Sequence, residues 1–103
     1  MATVGLRIMT GNSNPQLAED ICENIGISLC RARIEKFSDG ETLVEVGESV
    51  RGTDTFVVQS LANPVNDHLM ELLVIIDALK RASAKRITAL MPYFLPLISQ
   101  VLL

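Results

Sequence analysis

Thr55-Phe56-Val57-Val58-Gln59-Ser60 and Arg86-Ile87-Thr88-Ala89-Leu90-Met91 bracket the stretch whose reading decides the fold. Phe56, Val57 and Val58 stand in a row, the composition of a strand buried on both faces. The second run reads as another buried strand, ended by Pro92. Between them, Pro64 to Ala82 is the strongest helix in the chain. Leu69, Leu72, Leu73, Ile76 and Leu79 follow the i, i+3, i+4, i+7, i+10 spacing. A second apolar set, Val65, Met70, Val74 and Ala78, widens the stripe past one face. This predicts contact with a sheet on one side and with another chain or domain on the other. Strand, crossover helix and strand imply parallel pairing with a right-handed connection.

The pattern extends toward the amino end. Leu6-Arg7-Ile8-Met9-Thr10 reads as a strand ending at Gly11. Asn14-Pro15 opens a helix: Asn14 caps free backbone N–H groups, and Pro15 fits the first helical position, where its missing N–H is harmless. Leu17, Ile21 and Ile25, flanked by Ala18 and Cys22, make its apolar face, with Glu19, Asp20 and Glu23 largely off it. Gly26 is the stop. Arg31 to Phe37 alternates through Ala32 and Ile34, Ser38-Asp39-Gly40 turns, and Glu41 to Val46 alternates again with Leu43 out of phase. These form a hairpin with one exposed face. Ser49 to Asp54 is a further turn. The order is strand, helix, hairpin, strand, helix, strand. Ligands of such sheets sit at the carboxyl ends of strands, here Thr10-Gly11-Asn12-Ser13, Gln59-Ser60 and Pro92-Tyr93-Phe94.

Composition narrows the function classes. The 103 residues suit one domain, and a hydrophobic fraction of 49% against 20% charged argues against disorder. A net charge of -3 weighs against nucleic-acid binding, although Lys80, Arg81, Lys85 and Arg86 cluster locally. Two cysteines, Cys22 and Cys30, are too few for a disulfide scaffold or a four-ligand zinc site, and read as reduced cytoplasmic thiols. No signal peptide and no apolar run long enough for a membrane span is visible.

Six words stand in order: Thr10-Gly11-Asn12-Ser13-Asn14-Pro15, Phe37-Ser38-Asp39-Gly40-Glu41, Glu48-Ser49-Val50-Arg51-Gly52, Val58-Gln59-Ser60, Asn66 to Leu73, and Asp77 to Ala84. Over residues 5 to 94 the chain resembles the ribose-phosphate pyrophosphokinases. The resemblance implies an α/β phosphoribosyltransferase-type three-layer fold, with a parallel central sheet plus a β-hairpin, here incomplete. It implies transfer of the diphosphate of ATP to ribose 5-phosphate with magnesium, in an oligomer. It divides the chain into a partial pyrophosphokinase domain, residues 1–94, and a divergent apolar tail, residues 95–103. After Phe94 the family's Arg-Gln-Asp stretch is replaced by Leu95-Pro96-Leu97-Ile98-Ser99-Gln100-Val101-Leu102-Leu103, and no charged residue follows Arg86. That ending points to a shifted reading frame, alternative splicing or a truncated gene model. The tail either adds exposed apolar surface or covers part of an open sheet edge.

By resemblance, Phe37, Asp39 and Glu41 hold the adenine of ATP across a subunit interface. The bland alternative is a polar turn with a packed Phe. Ser49, Arg51 and Ser83 resemble an allosteric phosphate site, the alternative being an ordinary turn with a solvated Arg. The Gly11-Asn12-Ser13 loop is not a P-loop and reads as a simple strand-to-helix turn. His68 reads as an exposed or interface residue rather than a metal ligand. Asp67, Glu71 and Asp77 read as helix-surface or interface charges, and the basic cluster as the solvated end of a helix. No catalytic residue and no metal ligand is expected within the chain. Three functional readings follow: a catalytic-subunit fragment inactive alone, a non-catalytic module docking on full-length subunits, and a small independent nucleotide-binding domain.

Overall fold

The computed structural model describes residues 5–30, 32–38, 40–62 and 64–91. Asp39, the Pro92-Tyr93-Phe94 strand end and the tail at 95–103 lie outside the described residues. In chain order the elements are β1 (Leu6–Thr10), α1 (Pro15–Ile25), β2 (Ala32–Lys36), β3 (Thr42–Val46), β4 (Asp54–Val58), α2 (Val65–Arg81) and β5 (Arg86–Leu90). β1, β4 and β5 form a parallel sheet with β4 in the centre, and β2 pairs with β3 as a separate antiparallel hairpin. The ladder continues one residue beyond the strands. Gly11 N–H donates to the Val58 carbonyl at 3.0 Å and Gln59 N–H to that of Leu90 at 2.9 Å.

Successive residues of the buried strands serve opposite faces. Ile8 and Val58 pack with Ala18 and Cys22 of α1. Met9 and Val57 pack with Leu72, Ile75 and Leu79 of α2. The sheet is therefore sandwiched between the two helices. α2 also touches β3 of the hairpin. Ala32, Ile34, Val44 and Val46 share the inward hairpin face, because the register sets Ala32 opposite Val46 and Ile34 opposite Val44. Leu43 faces out.

The local signals of α1 act as expected. Leu17 N–H donates to Asn14 Oδ1 at 3.3 Å, and Pro15 occupies the first turn. Gly26 closes the helix at φ 89°, a left-handed conformation that glycine adopts without a side-chain penalty. Gly26 and Ile27 both donate to the Cys22 carbonyl.

The apolar phase of α2 differs from the expectation. Its buried residues are Glu71, Leu72, Ile75 and Leu79, whereas Leu69 and Leu73, read as inward, are 37% and 49% exposed. The cause is the breadth of the stripe: apolar residues cover so much of this helix that more than one face satisfies the spacing. Burial of Leu72, Ile75 and Leu79 stabilises the fold by roughly 1.5–3 kcal/mol each. The second apolar set meets the chain's own hairpin: Met70 and Val74 share one cleft with it, and Ala78 another.

α2 ends in a Schellman motif. Ala84 N–H donates to the Leu79 carbonyl at 3.1 Å and Ser83 N–H to that of Lys80 at 3.0 Å. The left-handed position, where glycine is usual, is Ser83, with φ 67°. Cys22 and Cys30 are both buried and free. Burial, reinforced by a hydrogen bond to Glu48, pushes the Cys30 thiol up to about 12.

Candidate functional site

The hairpin tip places Phe37 and Glu41 side by side. Phe37 N–H donates to the Glu41 carbonyl at 2.8 Å, and Gly40 N–H returns to the Phe37 carbonyl at 3.0 Å. Gly40 takes φ 90°, which lets the chain reverse here. Phe37 is 46% exposed. Glu41 is exposed beside it. Between this tip and α2 lies a cleft of about 460 Å³, lined by Lys36, Gly40, Glu41, Thr42, Asp67, Met70 and Val74. It combines both charge signs with apolar walls.

At the other end of α2, the turn that carries Ser49 and Arg51 is joined to Ser83 through the backbone of Gly52. Gly52 N–H donates to the Ser83 carbonyl at 3.0 Å, joining the turn before β4 to the turn after α2. Val50, almost fully buried, anchors the first turn. The Thr53 carbonyl accepts from Lys85 N–H at 2.9 Å and Arg86 N–H at 3.2 Å, so the basic start of β5 lies against the same turn. All three candidate side chains are exposed. From Asp67 to Arg81 the helix runs about 21 Å at 1.5 Å per residue, so the two candidate sites lie toward opposite ends of α2. Lys80, Arg81, Lys85 and Arg86 are exposed, as expected of a solvated helix end. Arg81 pairs with Asp77 at 2.9 Å, and Arg86 lies 4.0 Å from Asp54.

A third constellation corrects the reading of Glu71 as a surface or interface charge. Glu71 is 1% exposed and is bonded to the Gly11-Asn12-Ser13 loop, which is therefore more than a simple turn. Asn12 N–H donates to Glu71 Oε1 at 2.5 Å, and Asn12 Nδ2 to Oε2 at 3.1 Å. Gln59, fully buried, donates from Nε2 to Glu71 Oε1 at 3.0 Å and to the His68 carbonyl at 3.1 Å. Its own Oε1 accepts from Ser13 N–H at 3.2 Å and Ser13 Oγ at 2.7 Å. The network ties the β1–α1 loop to the end of β4 and to α2. It also fixes the residue at position 11, because a Cβ there would lie 2.1 Å from Gln59 Oε1. Asp67 and Asp77 are exposed, as expected. His68 is half-buried, with Nδ1 2.7 Å from the Ala62 carbonyl. The one available signal was Gln59, a polar residue directly after a buried strand and in step with Gly11 on β1.

Among the described residues, no three His, Cys, Asp or Glu side chains converge as a metal site requires. Both Glu71 oxygens are already engaged by N–H donors. No described helix is long and apolar enough to cross a membrane.

A parallel sheet between two helices, with its loops gathered at the carboxyl ends of the strands, has the build of the phosphoribosyltransferases. A hypoxanthine phosphoribosyltransferase from Staphylococcus aureus superposes with a TM-score of 0.58, covering 84% of this chain and 49% of its own, at 14% identity. A narrower assignment follows from sequence. The family model described as the N-terminal domain of ribose phosphate pyrophosphokinase matches residues 6–96, and the chain belongs to this family. A ribose-phosphate pyrophosphokinase of Nitrosomonas europaea is 55% identical over 94 residues, which is 91% of this chain and 30% of the relative. That of Burkholderia pseudomallei is 57% identical over 90 residues, 87% of this chain and 28% of the relative. A phosphoribosylpyrophosphate synthetase from Mycobacterium smegmatis superposes with a TM-score of 0.84 at 43% identity, over 87% of this chain and 30% of that structure. The chain thus spans about 30% of the length of the relatives it matches.

Proposed function

We propose that this chain is the amino-terminal domain of a ribose-phosphate diphosphokinase, the enzyme that transfers diphosphate from ATP to ribose 5-phosphate, giving phosphoribosyl pyrophosphate for nucleotide synthesis. The single observation that carries this reading is the hairpin tip, where a family match coincides with an aromatic ring held half out of the protein. Phe37 covers one face of the adenine ring, and the carboxylates of Asp39 and Glu41 accept from its exocyclic amine. The tip acts across a subunit interface, in a homo-oligomer or an assembly with full-length subunits. At the far end of α2, Ser49, Arg51 and Ser83 hold a regulatory phosphate, for which a guanidinium fork and two hydroxyls are suited. Two buried reduced thiols accord with a cytoplasmic setting.

The residues described here do not fit magnesium, since no acidic cluster is open to it. No step is assigned to them on that ion. The tip supplies one flank of a nucleotide pocket, and diphosphoryl transfer requires charge clamps on several sides of the migrating group. Purified chain given ATP, ribose 5-phosphate and magnesium is therefore expected to make no phosphoribosyl pyrophosphate. Turnover by this chain alone would overturn the reading. A non-catalytic docking role is the second reading, supported by the exposed Leu69 and Leu73 on α2. Co-expression with a full-length relative tests it: recovery of both chains in one complex supports docking, and separate elution refutes it.

A further inference from the structure

The Glu71 carboxylate decides which way the Asn12 side chain faces. A carboxylate only accepts hydrogen bonds, so Asn12 turns its Nδ2 toward Glu71 Oε2, at 3.1 Å. Glu71 is itself fixed, because Oε1 accepts from the Asn12 backbone N–H and from Gln59 Nε2. Gln59, fully buried, is held in turn by Ser13 and by the His68 carbonyl. The amide oxygen, Asn12 Oδ1, therefore points away from Glu71. No described group donates to it, and Asn12 is exposed. The residue stands just beyond β1, where Gly11 and Gln59 extend the ladder. This is the carboxyl edge at which sheets of this kind receive ligands. A buried carboxylate and amide are a costly way to fasten a turn, and their specific effect is to fix this one acceptor.

We propose that Asn12 contacts substrate, its Oδ1 accepting a hydrogen bond from a ribose hydroxyl, with Glu71 as the positioning residue that sets its orientation. On the diphosphokinase reading above, on which this assignment rests, both ribose 5-phosphate and ATP carry such hydroxyls. Phosphate oxygens are acceptors and gain nothing at Oδ1, and the adenine amine is taken by the hairpin carboxylates. The sugar hydroxyls are the donors that remain. Glu71→Gln separates positioning from simple support. A glutamine there keeps its oxygen for the Asn12 and Gln59 N–H groups and turns its own NH2 toward the Asn12 side chain. The Asn12 amide then flips, with Oδ1 inward and Nδ2 toward the crevice, while as many hydrogen bonds form as before.

Isotope-labelled full chain tests the assignment by nuclear magnetic resonance, with ATP and ribose 5-phosphate titrated separately. In the parent, at least one of the two is expected to shift the Asn12 side-chain amide signals, and the one that does so identifies the ribose held. Glu71→Gln is expected to weaken binding of that ligand about fivefold, the loss of one neutral hydrogen bond. Its Asn12 NH2 protons are expected to exchange with water faster than the parent's. Asn12→Ala is expected to weaken binding about as much, and the two changes together no further. Backbone amide spectra outside the loop are expected to match the parent in both variants. Silence of Asn12 toward both ligands overturns the proposal. So does unchanged affinity in Glu71→Gln, and so does slow Asn12 NH2 exchange persisting there. Phe37 moved by ATP while neither ligand moves Asn12 refutes this assignment alone, whereas Phe37 unmoved by ATP refutes the reading of the hairpin tip.

Discussion

Removing the Glu71 carboxylate is the most informative stability experiment, because a Glu on a helix is ordinarily a surface residue whose loss is worth at most about 0.5 kcal/mol. Here three N–H groups converge on its oxygens: two from Asn12 and one from Gln59. In Glu71→Ala the Asn12 backbone N–H loses a charged acceptor, a hydrogen bond worth about 1.5–3 kcal/mol. Gln59 Nε2 keeps the His68 carbonyl, and the exposed Asn12 side chain turns to water. The space vacated by the side chain adds to the loss, so the expected total is about 2–4 kcal/mol. Glu71→Gln retains one acceptor oxygen, and the Asn12 amide can rotate to present its own oxygen. Only charge assistance is lost, at about 1 kcal/mol. Asp77→Ala, which breaks an exposed pair with Arg81, is the control and is expected to change stability by less than about 0.5 kcal/mol. Urea denaturation followed by circular dichroism reads all three. If Glu71→Ala proves no more damaging than Asp77→Ala, the buried network does not hold the loop and the argument is wrong.

Further outcomes follow from the same geometry. Ile75→Ala is expected to cost about 2–5 kcal/mol and Leu73→Ala less than about 1 kcal/mol in the same urea assay, because Ile75 is buried and Leu73 half-exposed. Ser83→Gly is expected to raise stability by about 0.5–1 kcal/mol, the relief of left-handed strain exceeding the added freedom of the unfolded chain. The same change is expected to reduce the rise in Tm produced by inorganic phosphate, because it removes a hydroxyl from the proposed site. Stability is expected to fall as pH rises from 9 toward 12. The Cys30 thiol ionises near 9 when unfolded and near 12 when folded, so the folded chain holds the proton longer and deprotonation favours unfolding. Cys30→Ala is expected to flatten that slope in pH-dependent urea titrations.

Much of the fold was legible because local chemistry and long-range packing agree. Asn14-Pro15 and Gly26 bound α1 at both ends with capping groups that the structure uses. Phe56-Val57-Val58 marked β4 because a central parallel strand has two faces to bury, and both clusters draw on it. The hairpin alternation set Ala32, Ile34, Val44 and Val46 inward and Leu43 outward. The phase of α2 was not legible, because its apolar residues span sheet, hairpin and solvent at once. Glu71 was hidden for a different reason: its partners Asn12 and Gln59 are distant in sequence, and hydropathy assigns a carboxylate to the surface. The link between the turn before β4 and the turn at Ser83 had no local signature either, since it depends on a backbone hydrogen bond between residues distant in sequence. Those residues were reached through family resemblance alone.

The most direct test of the central claim replaces the matching segment of a full-length Burkholderia pseudomallei relative with residues 6–91 of this chain. Phosphoribosyl pyrophosphate formation is then measured against ATP concentration in the folded chimera, with Phe37 intact and with Phe37→Ala. The expected result is synthesis by the chimera, with the KM for ATP raised about tenfold or more by Phe37→Ala while that for ribose 5-phosphate stays unchanged, as loss of one adenine-stacking ring implies. A chimera whose ATP dependence ignores Phe37 would contradict the account.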